Sequence, residues 1–216
     1  MKQSQIQVIT ALIFLLHALP CIADDGATVA VGGTIKLLEE HHSVRMVAEH
    51  VRIKLEDGEF KVVCVFILQN TGPATTVTIG FPNESGGAGV DSVHPFTTFY
   101  SYVDGEPVPI EILPDANNGK ASSYRSWYVK RVTFEPRQVR CIWDTYTGTD
   151  GGGIGGFLFF NYVLWSGGSW AGPIGTADVV IEWDPREAPL DSVNIRPNGY
   201  VVSGNEFSWQ LTDIEP

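Results

Sequence analysis

Two carboxylates and a group of aromatic rings carry most of the chemistry this chain can offer. Glu49 lies in the run Met46-Val47-Ala48-Glu49-His50-Val51-Arg52-Ile53-Lys54-Leu55. Period-2 alternation gives it one face with Val47, Val51, Ile53 and Leu55, while Met46, Ala48, His50, Arg52 and Lys54 take the other. A carboxylate on an apolar face is costly unless it is paired or protonated. One outcome is a pair with an arginine or with backbone amides that pins two strands, and an arginine partner is the expectation. The other is a carboxyl group with raised pKa, fit for acid–base work. Glycosidase-type chemistry needs a second carboxylate at a suitable separation. Asp144 is a nominal partner, as is Asp178. No complete catalytic set is specified, so Glu49 and Asp144 stand as the acidic candidates.

The rings suggest binding instead. Trp143, Tyr146, Trp165 and Trp170 cluster in sequence around two glycine-rich stretches. Exposed rings with Asp and Asn nearby can stack on sugars or on apolar peptide groups. Rings beside glycines can equally fill the core or cap the end of a β-sandwich.

Other motifs fall away on context. Gly151-Gly152-Gly153-Ile154-Gly155-Gly156 spells a dinucleotide fingerprint, but Phe157 to Trp165 after it reads as a strand. A pyrophosphate site needs a helix N-terminus there. The run reads as a flexible hairpin loop. Ser169 in Gly167-Gly168-Ser169-Trp170-Ala171 has alanine where a nucleophile elbow needs its second glycine. His41, His42, His50 and His94 are the histidines beyond residue 23. Adjacent His41 and His42 point to opposite faces of an extended chain, so one ion would rarely take both. Asp144, Asp150 and Asp178 lack calcium-loop spacing. No metal and no cofactor is expected. Asn83-Glu84-Ser85 fits a glycosylation sequon, which matters only in a eukaryotic host.

The elements that must position these residues are strands. Turn signals recur at Asp57-Gly58, Asn70-Thr71-Gly72-Pro73, Asp104-Gly105, Glu135-Pro136, Pro197-Asn198-Gly199 and Ser203-Gly204-Asn205. Lys61 to Gln69 is apolar on both faces and suits a central strand covered on both sides. Phe96–Val103 with 108–113, and 125–134 with 137–147, read as hairpins. Ala177, Val179, Ile181 and Trp183 share one face, as do Phe207, Trp209 and Leu211. The only helical signal is a turn or two around Leu37 to His42. Roughly a dozen short strands with turns every 8–12 residues indicate an all-β, antiparallel β-sandwich. A single domain over 24–216 is the simplest reading, with 114–123 as the place where two β subdomains would divide.

Residues 1–23 read as a secretory signal peptide. Lys2 is their only charge, an apolar run follows, and Ile22-Ala23 suits cleavage before Asp24. The run is short for a membrane span, so no span is expected after cleavage. The expected location is secreted or periplasmic. The chain carries a net charge of −11, and no basic patch invites nucleic acid or an anionic membrane. A cell-surface polymer or protein is the partner class left. Two cysteines lie beyond the leader, Cys64 and Cys141. One disulfide, contributing about 4 kcal/mol in the chain-entropy model, and two free thiols both fit an exported chain.

Several segments carry a resemblance. They are HSVRMVAEHVRI (42–53), VFILQNTGPATTVTIGFP (65–82), WDTYTG (143–148) and NYVLWSGGSWAGPIGTADVVI (161–181). They resemble a secreted, mostly bacterial family known as a domain of unknown function of the 4424 type. Met46 with Glu49, Asn70, and Gly167/Trp170/Gly172/Ile174/Gly175 carry the likeness. It implies an exported β-rich domain and supplies no activity, cofactor or catalytic residue. The combined expectation is a non-enzymatic binding or structural module. The alternative is a secreted hydrolase of glycan or peptide using an acidic residue.

Overall fold

A computed structural model of the chain describes residues 9–13, 30–33, 35–38, 42–83, 96–114, 126–149, 151–153, 157–163, 169–186, 188–189 and 192–215. Its strands are β1 (Ile9–Ile13), β2 (Ala30–Gly33), β3 (Lys36–Leu37), β4 (Val44–Glu56), β5 (Glu59–Asn70) and β6 (Thr75–Asn83). Then come β7 (Phe96–Val103), β8 (Glu106–Pro107), β9 (Glu111–Pro114), β10 (Ser126–Phe134), β11 (Val139–Thr149) and β12 (Gly151–Gly153). The last are β13 (Phe157–Val163), β14 (Ile174–Trp183), β15 (Asn194–Arg196), β16 (Val201–Ser203) and β17 (Glu206–Ile214). The fold is all-β, as the alternation and turn residues require. Among the described residues no helix is long and apolar enough to cross a membrane. Leu37, expected in a helical turn, is in strand β3, and residues 39–41 lie outside the described residues.

One eight-stranded sheet, in the order β16-β17-β14-β4-β5-β11-β7-β8, forms the first layer. Two smaller sheets form the second: β3-β6-β10-β9, and β12-β13-β1-β15 with β2 also on β13. Most pairs are antiparallel; β14–β4, β1–β13, β1–β15 and β2–β13 are parallel. Rings join the layers: Phe81 of β6 meets Tyr146 of β11 at 4.9 Å, and Phe60 of β5 meets Phe160 of β13 at 5.0 Å. The stretch expected to be a leader thus contributes β1, seated between β13 and β15.

Turn chemistry sets the β4–β5 and β7–β8 hairpins. Asp57 and Gly58 have φ of 56° and 73°, and Asp104 and Gly105 have 52° and 88°. Two positive-φ residues make the turn whose twist matches its strands. Gly151–Gly153 of the glycine run form strand β12, which pairs with β13, and 154–156 lie outside the described residues.

Two expected hairpins are instead crossings between sheets. β10 belongs to the small sheet and β11 to the large one, so Glu135–Gln138 carries the chain across. β9 likewise leaves β7 and pairs with β10. Strand β4 also departs from simple alternation. A register shift between Met46 and Ala48 puts Met46 and Glu49 both in the core, with Val47 half-exposed. Strand β5 is central, as its apolar run suggests, but covered on one face only. Val62, Cys64, Phe66 and Leu68 are buried, while Val63, Val65 and Ile67 are half-buried.

Candidate functional site

Strand β11 presents opposite faces to opposite environments. Ile142, Asp144 and Tyr146 point into the core, whereas Cys141, Trp143 and Thr145 point outward. Trp143 is 45 % exposed and stands opposite Tyr102 of β7 in register. Their rings lie 5.7 Å apart, tilted by 39°. Tyr100, opposite Thr145, is 56 % exposed. Half-buried Val65 of β5 flanks Trp143 on the other side. The outer face of β5–β11–β7 is therefore a strip of rings on a sheet. Rings held on neighbouring strands lose little further freedom when a ligand stacks on them.

One end of this strip is fixed by the β7–β8 turn. Asp104 Oδ1 accepts from the Cys141 amide and Oδ2 from Arg140 Nε, each at 2.8 Å. Partial burial would raise this carboxyl, but the amide and the guanidinium outweigh it and hold its pKa below the usual aspartate value. Arg140 Nη1 also donates to the Thr133 carbonyl at 2.6 Å, tying β11 to the end of β10.

The inner face holds a polar set sealed from solvent. Lys130 of β10 donates to both oxygens of Asp144, and Ser101 of β7 donates to Oδ1. Glu49 Oε1 accepts from Tyr162 of β13 at 2.6 Å, and the Tyr162 hydroxyl lies 3.5 Å from Cys64 Sγ. Burial pushes the Cys64 thiol and the Tyr162 and Tyr146 phenols well up, and pulls the Lys130 amine down against the opposing pull of Asp144. These groups are buried and tie strands of the two layers together.

Of the four ring candidates, Trp143 reaches solvent. Tyr146 is fully buried in a cluster with Phe81, Phe96 and Phe99. Trp170 is buried too, its Nε1 donating to the Ile35 carbonyl at 3.1 Å. Trp165 lies outside the described residues. Nearness in sequence misled here, because side chains three apart on a strand face opposite ways.

The two cysteines among the described residues are free: Cys64 points into the core and Cys141 outward. Their strands are neighbours, but Cys141 pairs with Ile67 and Cys64 with Asp144, so the thiols lie on opposite faces and no disulfide forms. Glu49 is buried, as its register demanded, and its described hydrogen bond comes from Tyr162 rather than an arginine. Asp178 is far from both acidic candidates in environment, lying on the exposed face 3.0 Å from His50. Ser169 Oγ accepts from the Leu37 amide at 2.7 Å, a structural contact. Among the described residues no group of His, Cys, Asp and Glu could hold a metal.

Lys130, Ser101, Tyr162, Tyr100 and Tyr102 escaped the sequence reading. Lys130 left a trace, since it shares an alternating face with Tyr128, Val132 and Phe134. A charged residue at such a position needs a buried partner.

No protein-family model and no curated protein matches the chain. Solved structures do. A putative nutrient binding protein from Legionella pneumophila is 21 % identical, at a TM-score of 0.69 over 88 % of this chain and 70 % of that one. This likeness shows a shared fold. A yeast leukotriene A4 (LTA4) hydrolase bound to bestatin is 7 % identical, at a TM-score of 0.43 over 81 % of this chain and 27 % of that one. An M1 zinc metallopeptidase from Deinococcus radiodurans is 8 % identical, at 0.34 over 81 % and 40 %.

Proposed function

We propose that the protein is an exported binding module that holds a glycan on the aromatic face of its large sheet. The carrying observation is exposed Trp143 paired with half-buried Tyr102, with exposed Tyr100 on the same face. A sugar ring offers an apolar C–H face that packs on an indole or phenol, while its hydroxyls stay at the rim in water. A flat sheet suits a long polymer better than a small molecule, which prefers a concave pocket. The acidic chain would repel anionic polymers, so neutral glycans are the preferred class.

Other features support this reading in kind. The leader-like residues 1–23 fit export, as does the resemblance to the exported 4424-type family. The structural neighbour from Legionella pneumophila is itself described as a putative nutrient binding protein. Hydrolysis by Glu49 or Asp144 has less support, since both carboxylates are fully buried and already hydrogen-bonded.

The test is intrinsic tryptophan fluorescence of the purified protein titrated with neutral cell-wall glycans. At least one should shift the spectrum saturably, and Trp143→Ala should weaken it about tenfold, the equivalent of one good stacking contact. No shift with any glycan, or an affinity unchanged in Trp143→Ala, would sink the reading. Saturable binding of a protein ligand at the same face would move the assignment to a different partner class.

A further inference from the structure

The core contains an ion pair for which the binding face has no use. Lys130 stands on β10 of the small sheet and Asp144 on β11 of the large one, both with side chains at 0 % exposure. Lys130 Nζ lies 2.5 Å from each carboxylate oxygen. Equal short distances to both oxygens place Nζ on the plane that bisects the carboxyl group between its two oxygens. It is then inside van der Waals contact of the carbon, Cγ. Ser101 Oγ, directly across from Asp144 in register, lies 2.5 Å from Oδ1. Tyr128 and Tyr146, the next residues on the same faces, belong to the ring cluster that walls the pair from water.

As ions, these two groups lose the hydration they have in the unfolded chain. A proton passing from Nζ to Oδ2 leaves a neutral amine against a neutral carboxylic acid, the reactants of amide formation. In water this condensation is slow and unfavourable. Here the groups are held together, which in oriented systems is equivalent to concentrations on the order of 10⁵ M or more, and the water formed leaves for bulk solvent.

We propose that Lys130 and Asp144 condense into an intramolecular amide that staples the small sheet to the large one. The Nζ lone pair forms a bond to Cγ, and the carbonyl π pair moves onto Oδ1, where the Ser101 hydroxyl holds the charge. A proton from Nζ passes to the Oδ2 hydroxyl, the Cγ–Oδ2 bond breaks, and water leaves as the Oδ1 carbonyl re-forms. One amine and one acid give one amide and one water, with no oxidant, reductant or external enzyme. Ser101 touches the reacting oxygen directly and is the catalytic residue of this step.

The staple's place in the fold gives it a purpose. The partners are 14 residues apart and bracket the crossing turn between β10 and β11. There the chain leaves one layer for the other. With both cysteines free, an amide would supply the covalent cross-link that no disulfide among the described residues provides, and reducing agents would not open it. The inference is independent of the glycan reading.

The deciding experiment is intact mass measured under denaturing conditions. The purified protein should weigh one water less than its sequence, after allowing for any leader removal. Lys130→Arg should weigh its full sequence mass. Fragmentation should place the loss on a branched peptide joining the β10 and β11 segments at Lys130 and Asp144. Ser101→Ala should give a mixture of the two masses that shifts slowly toward the lighter one. A wild-type protein at full mass would overturn the proposal, even if Lys130→Arg fails to fold. A water loss mapped to any other residue would overturn it too.

Discussion

Tyr146 shows how one side chain can stabilise through its ring while its polar end costs energy. The ring lies 4.6 Å from Phe96 and 4.9 Å from Phe81, and stacks on Phe99 at 5.9 Å. Burial of a ring this size, with edge and offset contacts, outweighs a single polar atom. The hydroxyl faces the Cys64 thiol, a weak partner at best, and makes no hydrogen bond of ordinary geometry among the described residues. Such a group carries a desolvation cost of about 1–3 kcal/mol. Tyr146→Phe should therefore be as stable as wild type, or more stable by up to about 1 kcal/mol, in a urea titration. A clear loss of stability would mean that the hydroxyl has a partner after all. Trp143, three residues earlier, has the opposite fate, and alternation within 141–146 contained that distinction. Hydrophobic Ile142 fixes the inner face, which forces Tyr146 inward and Trp143 out. The burial of Asp144 follows from the same alternation, although the sequence alone offers Asp144 only as a nominal second carboxylate for Glu49. What the chain did not show locally is its cation. Lys130 lies on another sheet, and only the folded topology brings it to Asp144.

At the scale of elements, the hairpins were readable because their turns carry backbone chemistry. Asp-Gly at 57–58 and at 104–105 has the positive φ values that two-residue hairpins need. The bulge in β4 was not readable, because what packs against it sits on a different strand. Gly175 of β14 comes so close to the bulge that an added Cβ would stand 2.4 Å from the Val47 carbonyl oxygen. A glycine there lets two parallel strands approach, and nothing local to Met46–Ala48 announces it.

The β7–β8 turn makes a sharper prediction, since Asp104 serves both turn geometry and ion pairing. Asparagine tolerates the same positive φ, so Asp104→Asn removes the charge and leaves the conformation. The folded carboxyl has a lowered pKa. Its contribution is therefore complete above the ordinary aspartate range and is lost as pH falls through the folded value. The pair is well exposed to solvent, so its worth is about 1 kcal/mol or less. Asp104→Asn should lower stability by that amount at neutral pH. The gap between variant and wild type should close as the solution is acidified below pH of about 4. A gap that stayed constant across that range would assign the effect to geometry rather than to charge.

For the whole molecule, the sequence specified strands but not the sheets they join. Alternation reports which residues face a core, and it is silent on which of two layers a strand enters. That is why Glu135–Gln138 reads as a hairpin turn when it is a crossing, and why β9 leaves β7. The same gap applies to the amino-terminal segment, whose composition says leader and whose register says strand. β1 pairs with β13 over Ile9–Ile13 and with β15 over Thr10–Leu12. The large sheet uses none of these pairings. If export removes residues 1–23, β15 loses the strand it pairs with, and β13 keeps β12 and β2 on its other side. The side chains of Tyr162 and Ile195 remain anchored in the core while the backbone beside them opens. Amide hydrogen exchange should then be faster at 158–162 and at Asn194–Arg196 in the shortened chain than in the full one. Protection across β4, β5 and β11 should be the same in both. Loss of protection in the large sheet would show β1 to be part of the folding core, and the leader reading would fall. Unchanged protection at Asn194–Arg196 would show that β15 finds another strand. The two edges left open face one another and would each accept an extended strand, so the shortened chain should also be the more prone to associate through them.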